Sequence, residues 1–365
     1  MVTVAFFLAT FKPMIDSIIV GYGLAGFHMA WQMQQHQKTF MLVCAQSLKG
    51  ASSKAAGVCN PTVLKRYTMA WNGIPFLNYA KTSYTNIEAQ LNSPFFDSLP
   101  IHRIFTNERE QNDWIVASQR EGLSAFLNPD LVAQSAPDLK NNAGYGIVEQ
   151  LGKLKINSLL EQFKKTLGSK QYLNEVFDYS QLIPSKDGVS YKCILAKRVI
   201  FCEGYASKAN PWFNYLPLTG SKGEYLIIKA PQLARTQIIK GSIFISPLEE
   251  ELFWVGASFT REDKTPTPTP QGKEWLLKRL NALLDTPYEV VLHQAAIRPT
   301  VIDRRPLLGA HPSFSNLFIF NGLGTRGVLM APLLSQWLYD HIHEGKQIPN
   351  EVAINRFESY FSNPK

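Results

Sequence analysis

The sequence predicts an α/β fold in which a Rossmann-like domain is joined to a second domain of β-rich α+β type. Three observations support this prediction. The chain has 365 residues, which is more than a single hydrophobic core usually organises. An apolar run at residues 17–20 leads directly into a G-x-G-x-x-G sequence at residues 21–26. A strand-rich stretch at residues 223–259 lies far from that motif and predicts a separate sheet.

The first elements of the chain predict a parallel sheet. Residues 17–20 and 39–43 are short apolar runs typical of buried strands, and residues 27–35 between them have a helical pattern. A helix between two fully apolar strands is typical of a parallel β-α-β unit.

The middle of the chain has a weaker pattern. Residues 67–142 mix aromatic and polar side chains, which predicts helices and part of the second domain. Residues 154–167 predict a helix. Residues 171–179 and 189–195 predict strands of a hairpin-like meander around a turn at 184–188.

The later elements complete the two predicted domains. They are strands at 198–202, 224–228, 242–246 and 252–255 and helices at 274–284 and 332–343. We assign residues 14–90, 145–215 and 290–365 to the Rossmann-like domain and residues 91–144 and 216–289 to the second domain.

The composition is that of a globular protein, with 45% hydrophobic residues and a formal net charge of +8. No stretch reaches the roughly 20 uncharged apolar residues that span a bilayer. The four cysteines lack metal-binding spacing and predict reduced thiols in a cytoplasmic protein. A basic balance favours anionic partners without locating a patch.

The apolar run at residues 2–11 has no basic residue before it and no small-residue cleavage site after it. The first core strand begins only a few residues later, at about Asp16. We therefore expect Met14, rather than Met1, to be the natural start.

The glycine motif predicts binding of a dinucleotide. Gly21 permits the tight turn, Gly23 allows the backbone to approach a pyrophosphate, and Gly26 lets the helix pack on the strand. Free N–H groups at the helix start, which includes Leu24 and Ala25, then hold the phosphates.

One position departs from this pattern. An acidic residue roughly 20 positions after the first glycine usually binds the ribose hydroxyls. Here that position is Cys44, which supplies no charged acceptor. Gln46 and Ser47 are the alternatives, so the geometry on the adenosine side stays open.

Five segments, in this order, carry a resemblance to a known family. They are the glycine motif, the small-residue loop 50–57, the strand 199–204, the segment 243–256 with Pro247, and the C-terminal pair 297–309 and 320–327. Together they resemble the FAD-dependent D-amino-acid oxidase superfamily, particularly its glycine oxidase and sarcosine oxidase-like branch.

The resemblance implies a Rossmann-like FAD-binding domain, a β-rich substrate domain and noncovalent FAD. Some members attach the flavin through a C-terminal cysteine, whereas this chain has none after Cys202. No metal site is expected. The cofactor-binding residues that it implies are Gly21, Gly23, Leu24, Ala25, Gly26, Cys44, Gln46, Ser52, Ser53, Ala55, Ala56, Gly57, Val176, Gly204, Gly322, Leu323, Gly324, Thr325, Arg326, Gly327 and Val328.

The resemblance also implies residues of the catalytic site. Arg298 matches the arginine that binds a substrate carboxylate, and its alternative role is that of a structural ion-pair partner. Tyr225 lies on a strand near the substrate, where packing is the more common role. Arg326 has two alternatives, an anion or flavin contact and a surface ion pair. His28 fits a buried helix histidine, and His293 stays open between packing and pocket lining.

The implied reaction is oxidation of the C–N bond of an amino acid or small secondary amine by hydride transfer to flavin. Two alternatives remain. One is a stand-alone flavoenzyme that removes a carboxymethyl group from a modified wobble uridine in tRNA, since residues 324–332 look similar to the oxidase half of the bifunctional enzyme. The other is a noncatalytic FAD-binding or electron-carrier protein. The expected partner is a small amine, with tRNA as the alternative and no membrane; the oligomeric state stays open.

Overall fold

The structure, a computed structural model, describes residues 13–47, 50–133, 138–140 and 143–362. Of the two start sites considered, Met1 lies outside the described residues, whereas Met14 is described and exposed.

The described residues form both strands and α-helices, with several runs of consecutive strands. The strands are β1 (Ser17–Val20), β2 (Phe40–Val43), β3 (Val58–Cys59), β4 (Thr62–Val63), β5 (Thr68–Met69), β6 (Phe96–Asp97), β7 (Ile101–Ile104), β8 (Tyr145–Val148), β9 (Gly152–Leu154), β10 (Tyr172–Leu173), β11 (Leu182–Pro184), β12 (Val189–Tyr191), β13 (Ile194–Ala196), β14 (Val199–Phe201), β15 (Ser221–Lys229), β16 (Ile238–Lys240), β17 (Phe244–Pro247), β18 (Leu252–Gly256), β19 (Glu289–Arg298), β20 (Leu307–His311) and β21 (Phe314–Asn321). The α-helices are α1 (Leu24–Gln35), α2 (Gly73–Leu91), α3 (Glu108–Ser118), α4 (Ile156–Thr166), α5 (Pro270–Asn281), α6 (Gly327–Glu344) and α7 (Glu358–Ser362).

A six-stranded sheet in the order β10-β2-β1-β14-β21-β20 forms the first layer. Its first five strands are parallel, and β20 pairs antiparallel with β21. The predicted parallel β-α-β unit is confirmed. Because β1, β14 and β21 are parallel neighbours, their carboxyl ends bring Gly21, Gly204 and Gly322 to one edge of the sheet.

A seven-stranded sheet in the order β19-β15-β18-β17-β16-β7-β8 forms the second large layer. Helix α5 packs on one of its faces, where Leu276 and Leu280 join a core with Leu226 and Phe253. The opposite face joins the core that contains α1, α2 and α6. Two of its strands, β8 and β19, come from ranges that the sequence assigned to the Rossmann-like domain, so the domain limits stay a proposal.

The predicted meander exists, but its first strand was assigned wrongly. Residues 182–184, 189–191 and 194–196 form the antiparallel sheet β11-β12-β13. Within 171–179 only Tyr172 and Leu173 are in a strand, and they pair in parallel with β2. Tyr172 and Leu173 pair with the edge strand of the parallel sheet. This pairing depends on the tertiary fold, because the residue types of the segment do not specify it.

Helix α6 begins five residues before the predicted start and contains Pro332. Proline has no N–H to donate to the carbonyl four residues earlier, which is that of Val328. The Tyr84 hydroxyl donates to that carbonyl at 2.7 Å instead. This contact compensates for the proline, and the helix therefore continues through it.

No helix in the described ranges is long and apolar enough to cross a membrane.

Candidate active site

The glycine-rich turn after β1 brings the start of α1 against the end of the parallel sheet. Gly21 has a φ of +98°, and a Cβ there would lie 2.6 Å from the carbonyl oxygen of Cys202. A Cβ at Gly26 would collide with the carbonyl oxygen of Gly21. Both positions therefore need glycine because two backbone segments meet there.

The first turn of α1 has unpaired N–H groups. No side chain caps the helix at Gly23, although the Leu24 N–H donates to the Ser52 hydroxyl at 3.1 Å. The amides of Ala25 and Gly26 make no hydrogen bond within the described part of the chain. Unpaired amides at the positive end of a helix favour an anionic group such as a phosphate.

A second helix begins beside the first. Helix α6 starts at Gly327 without a side-chain cap, and a Cβ at Gly327 would lie 3.0 Å from Cδ1 of Leu24. The amides of Gly327 and Val328 have no hydrogen-bond acceptor among the described residues. Two positive helix ends therefore lie together at the same edge of the sheet.

The segment between β21 and α6 passes the end of β14. Gly322 and Gly324 both have positive φ, at +77° and +54°. The Asn321 side chain donates to the Gly204 carbonyl at 2.8 Å and ties the two strand ends together. Gly204 also has positive φ, and no atom lies within 4 Å of a Cβ placed there. In the same segment Leu323 is buried and Thr325 is exposed.

The small-residue loop after β2 lies between the two large sheets. Its 3₁₀ turn, Ala51–Lys54, contacts the second sheet through the Lys54 ammonium and the Ala295 carbonyl, 2.8 Å apart. Gly57 has a φ of +83°, and its carbonyl accepts from the Leu154 N–H at 2.8 Å. Between these anchors lie Ser53, Ala55 and Ala56, whose side chains are no larger than a hydroxymethyl group.

The end of β2 carries no acid. Burial raises the pKa of the Cys44 thiol, which therefore stays neutral at physiological pH. The Gln46 N–H donates to Asn174 at 2.7 Å, and the Gln46 side chain is exposed. Val176, which follows β10, is 63% exposed. The ribose side of this site therefore has neutral groups in place of the usual carboxylate.

These features fit FAD. The two uncapped helix starts suit a pyrophosphate and the electron-rich side of a flavin, and the loops with small side chains leave room for a planar ring. A Cβ at Gly21 or Gly26 would meet backbone atoms, and a Cβ at Gly23 would lie 2.9 Å from the Ser52 hydroxyl oxygen.

Arg298 ends β19 on the face of the second sheet that is turned away from α5. Its guanidinium makes long hydrogen bonds to two carbonyls, 3.4 Å to Lys222 and 3.4 Å to Ser258. No carboxylate forms an ion pair with it in the described ranges, and burial lowers its pKa. The structural ion-pair alternative is therefore not supported. A half-buried guanidinium with two unused donors is suited to bind a carboxylate.

An aromatic floor lies next to Arg298 on the same face. The Tyr225 ring stacks on Trp254, with ring centres 5.4 Å apart, and its hydroxyl donates to Gln294 at 2.7 Å. Tyr225 therefore has packing and hydrogen-bond contacts within the sheet, and its role toward a substrate stays a prediction. Trp254 and Gln294 were not identified from the sequence. Gly223, also missed, lies directly beneath the Arg298 guanidinium. The sequence could have revealed Gly223, because a glycine inside a strand often marks the close approach of another group.

Arg326 forms no ion pair among the described residues, and its contact with an anion or flavin stays a prediction. Its half-buried guanidinium donates to the backbone carbonyls of Asn60 at 2.6 Å and Thr62 at 3.1 Å. It therefore anchors the hairpin β4-β5 to the start of α6, and it contributes to the site by positioning that helix.

The two histidines are both structural. Burial lowers the pKa of His28 to about 3, so the ring is neutral in the core beside Tyr84. His293 lies 2.9 Å from the Glu224 carboxylate, on the α5 side of the sheet and not in the pocket. No cluster of metal ligands occurs among the described residues.

Comparison with known proteins identifies relatives over almost the whole chain. A family model described as FAD dependent oxidoreductase matches residues 16–341. The tRNA 5-methylaminomethyl-2-thiouridine biosynthesis bifunctional protein MnmC of Idiomarina loihiensis is 24% identical over 88% of this chain and 54% of its own length. The bifunctional protein ThiO/ThiG of a Nostoc species is 22% identical over 92% of this chain and 53% of its own. The chain thus spans about half the length of these curated relatives.

Solved structures share the fold. Glycine oxidase from Geobacillus kaustophilus superposes with a TM-score of 0.78 at 19% identity, over 95% of this chain and 98% of its own. Iminodiacetate oxidase from a Chelativorans species superposes with a TM-score of 0.76 at 17% identity, over 94% and 98%.

Proposed function

The chain belongs to the FAD-dependent oxidoreductase family and uses FAD, and on this premise we propose that it oxidises the C–N bond of an amine that carries a carboxylate. The supporting observation is Arg298, a half-buried cation without a carboxylate partner in the described chain. An amino acid or a carboxymethyl amine would supply that carboxylate. Because the chain belongs to a family of oxidoreductases, we do not propose the noncatalytic alternative.

The role of each residue in this reaction follows from its position in the site. Arg298 would hold the carboxylate with two hydrogen bonds and orient the adjacent C–N bond toward the glycine loops. Tyr225 and Trp254 would exclude water from the reacting carbon. FAD, when bound, supplies a two-electron acceptor for the hydride of that carbon. The resulting imine is hydrolysed by water to an amine and a carbonyl compound.

The test is anaerobic mixing of the FAD-loaded protein with amino acids and N-carboxymethyl amines while the flavin absorbance is followed. We expect one compound to bleach the flavin. In Arg298→Ala the protein stays yellow, but KM for that compound rises about 30-fold or more, because losing one partner of a buried charge pair costs roughly 2 kcal/mol or more.

The matched control is Arg109→Ala, since Arg109 is exposed on α3. Its KM should equal that of the unmodified protein. An unchanged KM in Arg298→Ala would remove Arg298 from the substrate site.

A second candidate is a carboxymethyl amine on a wobble uridine in tRNA. It is favoured by the similarity to MnmC over 88% of this chain and by the net charge of +8. Binding to tRNA should then weaken steeply as salt is raised, because phosphate contacts release counterions. Absence of binding at low salt would exclude this candidate.

A further inference from the structure

A Thr-Pro repeat in the segment before α5 has no role in the site described above. Residues 265–270 read Thr-Pro-Thr-Pro-Thr-Pro and lead into α5, which begins at Pro270. Proline fixes φ and has no N–H, so alternating prolines stiffen a chain in an extended form. The contacts of this stiff segment lead to β15.

The repeat covers two buried charges on β15. Lys222 and Glu224 are 1% and 3% exposed, and they flank Gly223, which lies beneath the Arg298 guanidinium. Because side chains alternate along a strand, Lys222 and Glu224 point to the α5 face, away from the guanidinium. The two charges therefore lie on the other side of the sheet from the proposed carboxylate site, directly behind its arginine.

The Lys222 ammonium ties the repeat to β15. It donates to the Asp263 carboxylate and to the Thr267 carbonyl, and the Glu224 carboxylate lies 3.7 Å away. The N–H and the hydroxyl of Thr265 each donate to Asp263 at 2.7 Å. The ammonium and these two donors lower the pKa of Asp263 to about 2, so its carboxylate stays charged at physiological pH.

The Glu224 carboxylate holds the end of the repeat and the start of α5. It accepts from the N–H and the hydroxyl of Thr269, each at 2.8 Å, and Thr269 caps the helix. A Cβ at Gly272, in the first turn, would collide with the carboxylate. His293 lies 2.9 Å from the same group. The carboxylate thus lies at the positive end of α5, which stabilises its buried charge.

The same two residues carry the backbone that Arg298 contacts. The guanidinium donates to the Lys222 and Ser258 carbonyls, each at 3.4 Å. Ser258 lies beyond the end of β18, where its N–H donates to the Glu224 carbonyl at 3.0 Å and its hydroxyl accepts from the Glu224 N–H at 2.9 Å. Thr260 and Lys222 exchange backbone hydrogen bonds at 2.8 and 3.0 Å. A shift of either buried side chain would therefore move both carbonyls.

We propose that Lys222 and Glu224 are positioning residues, which set the Arg298 guanidinium for a substrate carboxylate by anchoring the Thr-Pro repeat to β15. This inference rests on the function proposed above, in which Arg298 binds that carboxylate. The hydrogen bonds that hold the guanidinium are long, so its position depends on how firmly the two carbonyls are fixed. A misplacement of about 1 Å in such a group can cost about 100-fold in rate.

The experiment measures binding of benzoate and of uncharged benzamide to the FAD-loaded protein by calorimetry. Benzoate brings a carboxylate for Arg298 and a ring for the aromatic floor, whereas benzamide has the ring without the charge. The readout needs no turnover, so it does not depend on finding the amine that is oxidised. Arg298→Ala serves as the reference and should bind benzoate about 30-fold more weakly.

Two variants test the buried charges. Asp263→Asn removes a negative charge near Arg298, which by charge alone would strengthen benzoate binding. It also weakens the anchor of Lys222, so a positioning role predicts the opposite, a benzoate affinity about threefold lower. Lys222→Met combined with Glu224→Gln removes one charge of each sign and so avoids an unpaired member of the pair. It should lower the affinity about tenfold, as for loss of a charge-assisted hydrogen bond.

The matched control is Lys229→Met combined with Glu251→Gln, which removes an exposed ion pair of 3.4 Å at the opposite end of the β15–β18 pair. Its benzoate affinity should match that of the unmodified protein, as should the benzamide affinity of both test variants. A lower melting temperature with unchanged benzoate affinity would make the buried pair purely structural and overturn the proposal.

Tighter benzoate binding in Asp263→Asn would also overturn the positioning role. If only Arg298→Ala loses benzoate, the positioning role fails while the proposed carboxylate site stands. If benzoate does not bind the unmodified protein, or binds Arg298→Ala equally well, the carboxylate site fails and the positioning role fails with it.

Discussion

Replacing Gly223 by alanine should disable carboxylate binding without unfolding the protein. An added Cβ would lie 2.0 Å from Nη2 of Arg298, whereas ordinary contact begins at 3.4 Å. The guanidinium must therefore move by about 1.4 Å, the difference of those two distances. Its side chain is long enough to yield, so the strand pairing of Gly223 with Ala296 can persist.

The displaced Arg298 guanidinium should hold the substrate carboxylate less well. A misplacement of about 1 Å in a positioning group can lower the rate about 100-fold. We therefore expect kcat/KM for a carboxylate-bearing amine to fall between about 10-fold and 100-fold, while an amine of the same size without the carboxylate is oxidised as before. FAD content, measured from the visible absorbance, should not change.

The assay is anaerobic flavin reduction by stopped flow, which separates substrate affinity from the rate of the chemical step. Gly168→Ala is the matched control, because the nearest atom to its added Cβ is 3.9 Å away. The reasoning would be refuted if Gly223→Ala reduced its flavin with unchanged affinity and rate. A loss of folding, seen as a lower melting temperature than in the control, would instead place the strain in the backbone.

Two further predictions concern stability. Tyr84→Phe should lower the free energy of unfolding in urea by about 1–3 kcal/mol, because the Val328 carbonyl, four residues before Pro332, loses its donor. The control is Tyr79→Phe, whose hydroxyl donates to Gln336 and whose loss should lower the free energy of unfolding by less. Equal losses in the two variants would contradict this account. The pKa of His28 is lowered from 6.5 to about 3 by burial, so the unfolded chain takes up the proton first as pH falls through that interval. Stability is then complete above pH 6.5 and falls toward pH 3, by up to about 5 kcal/mol. In His28→Gln this acid slope, followed by unfolding at several pH values, should be shallower, and an identical slope would exclude His28 as its source.

Much of the fold was predictable from local patterns. The apolar runs of β1, β2 and β14 and the glycines after β1 specify a parallel sheet with a helix starting at its edge, because these features act over a few neighbouring residues. The assignment of the segment 171–179 failed for the opposite reason. A two-residue strand takes its place from the edge that it joins, and that edge belongs to β2.

Some features of the candidate site were also predictable from local patterns, whereas others depend on the tertiary structure. Glycine motifs, the arginine at the end of β19 and the absence of an acid at Cys44 are visible in the sequence by itself. Only the tertiary structure decided that Arg298 lacks a carboxylate partner in the described chain while Arg326 is occupied by the carbonyls of Asn60 and Thr62. Arg298 ends β19 and Arg326 precedes α6. Their contacts differ because distant segments place carbonyls close to Arg326 but only at longer hydrogen-bond distances from Arg298.

The alignment of Tyr225, Gly256, Phe244, Lys240 and Arg103 on one face of the seven-stranded sheet was also beyond the sequence. These residues lie up to 153 positions apart, from Arg103 to Gly256, and only the register of the sheet aligns them. The sequence determined which chemical groups the protein has and where its local turns lie. The pairing of strands decided which of those groups share a face, because cross-strand neighbours are set by long-range hydrogen bonds and not by spacing along the chain.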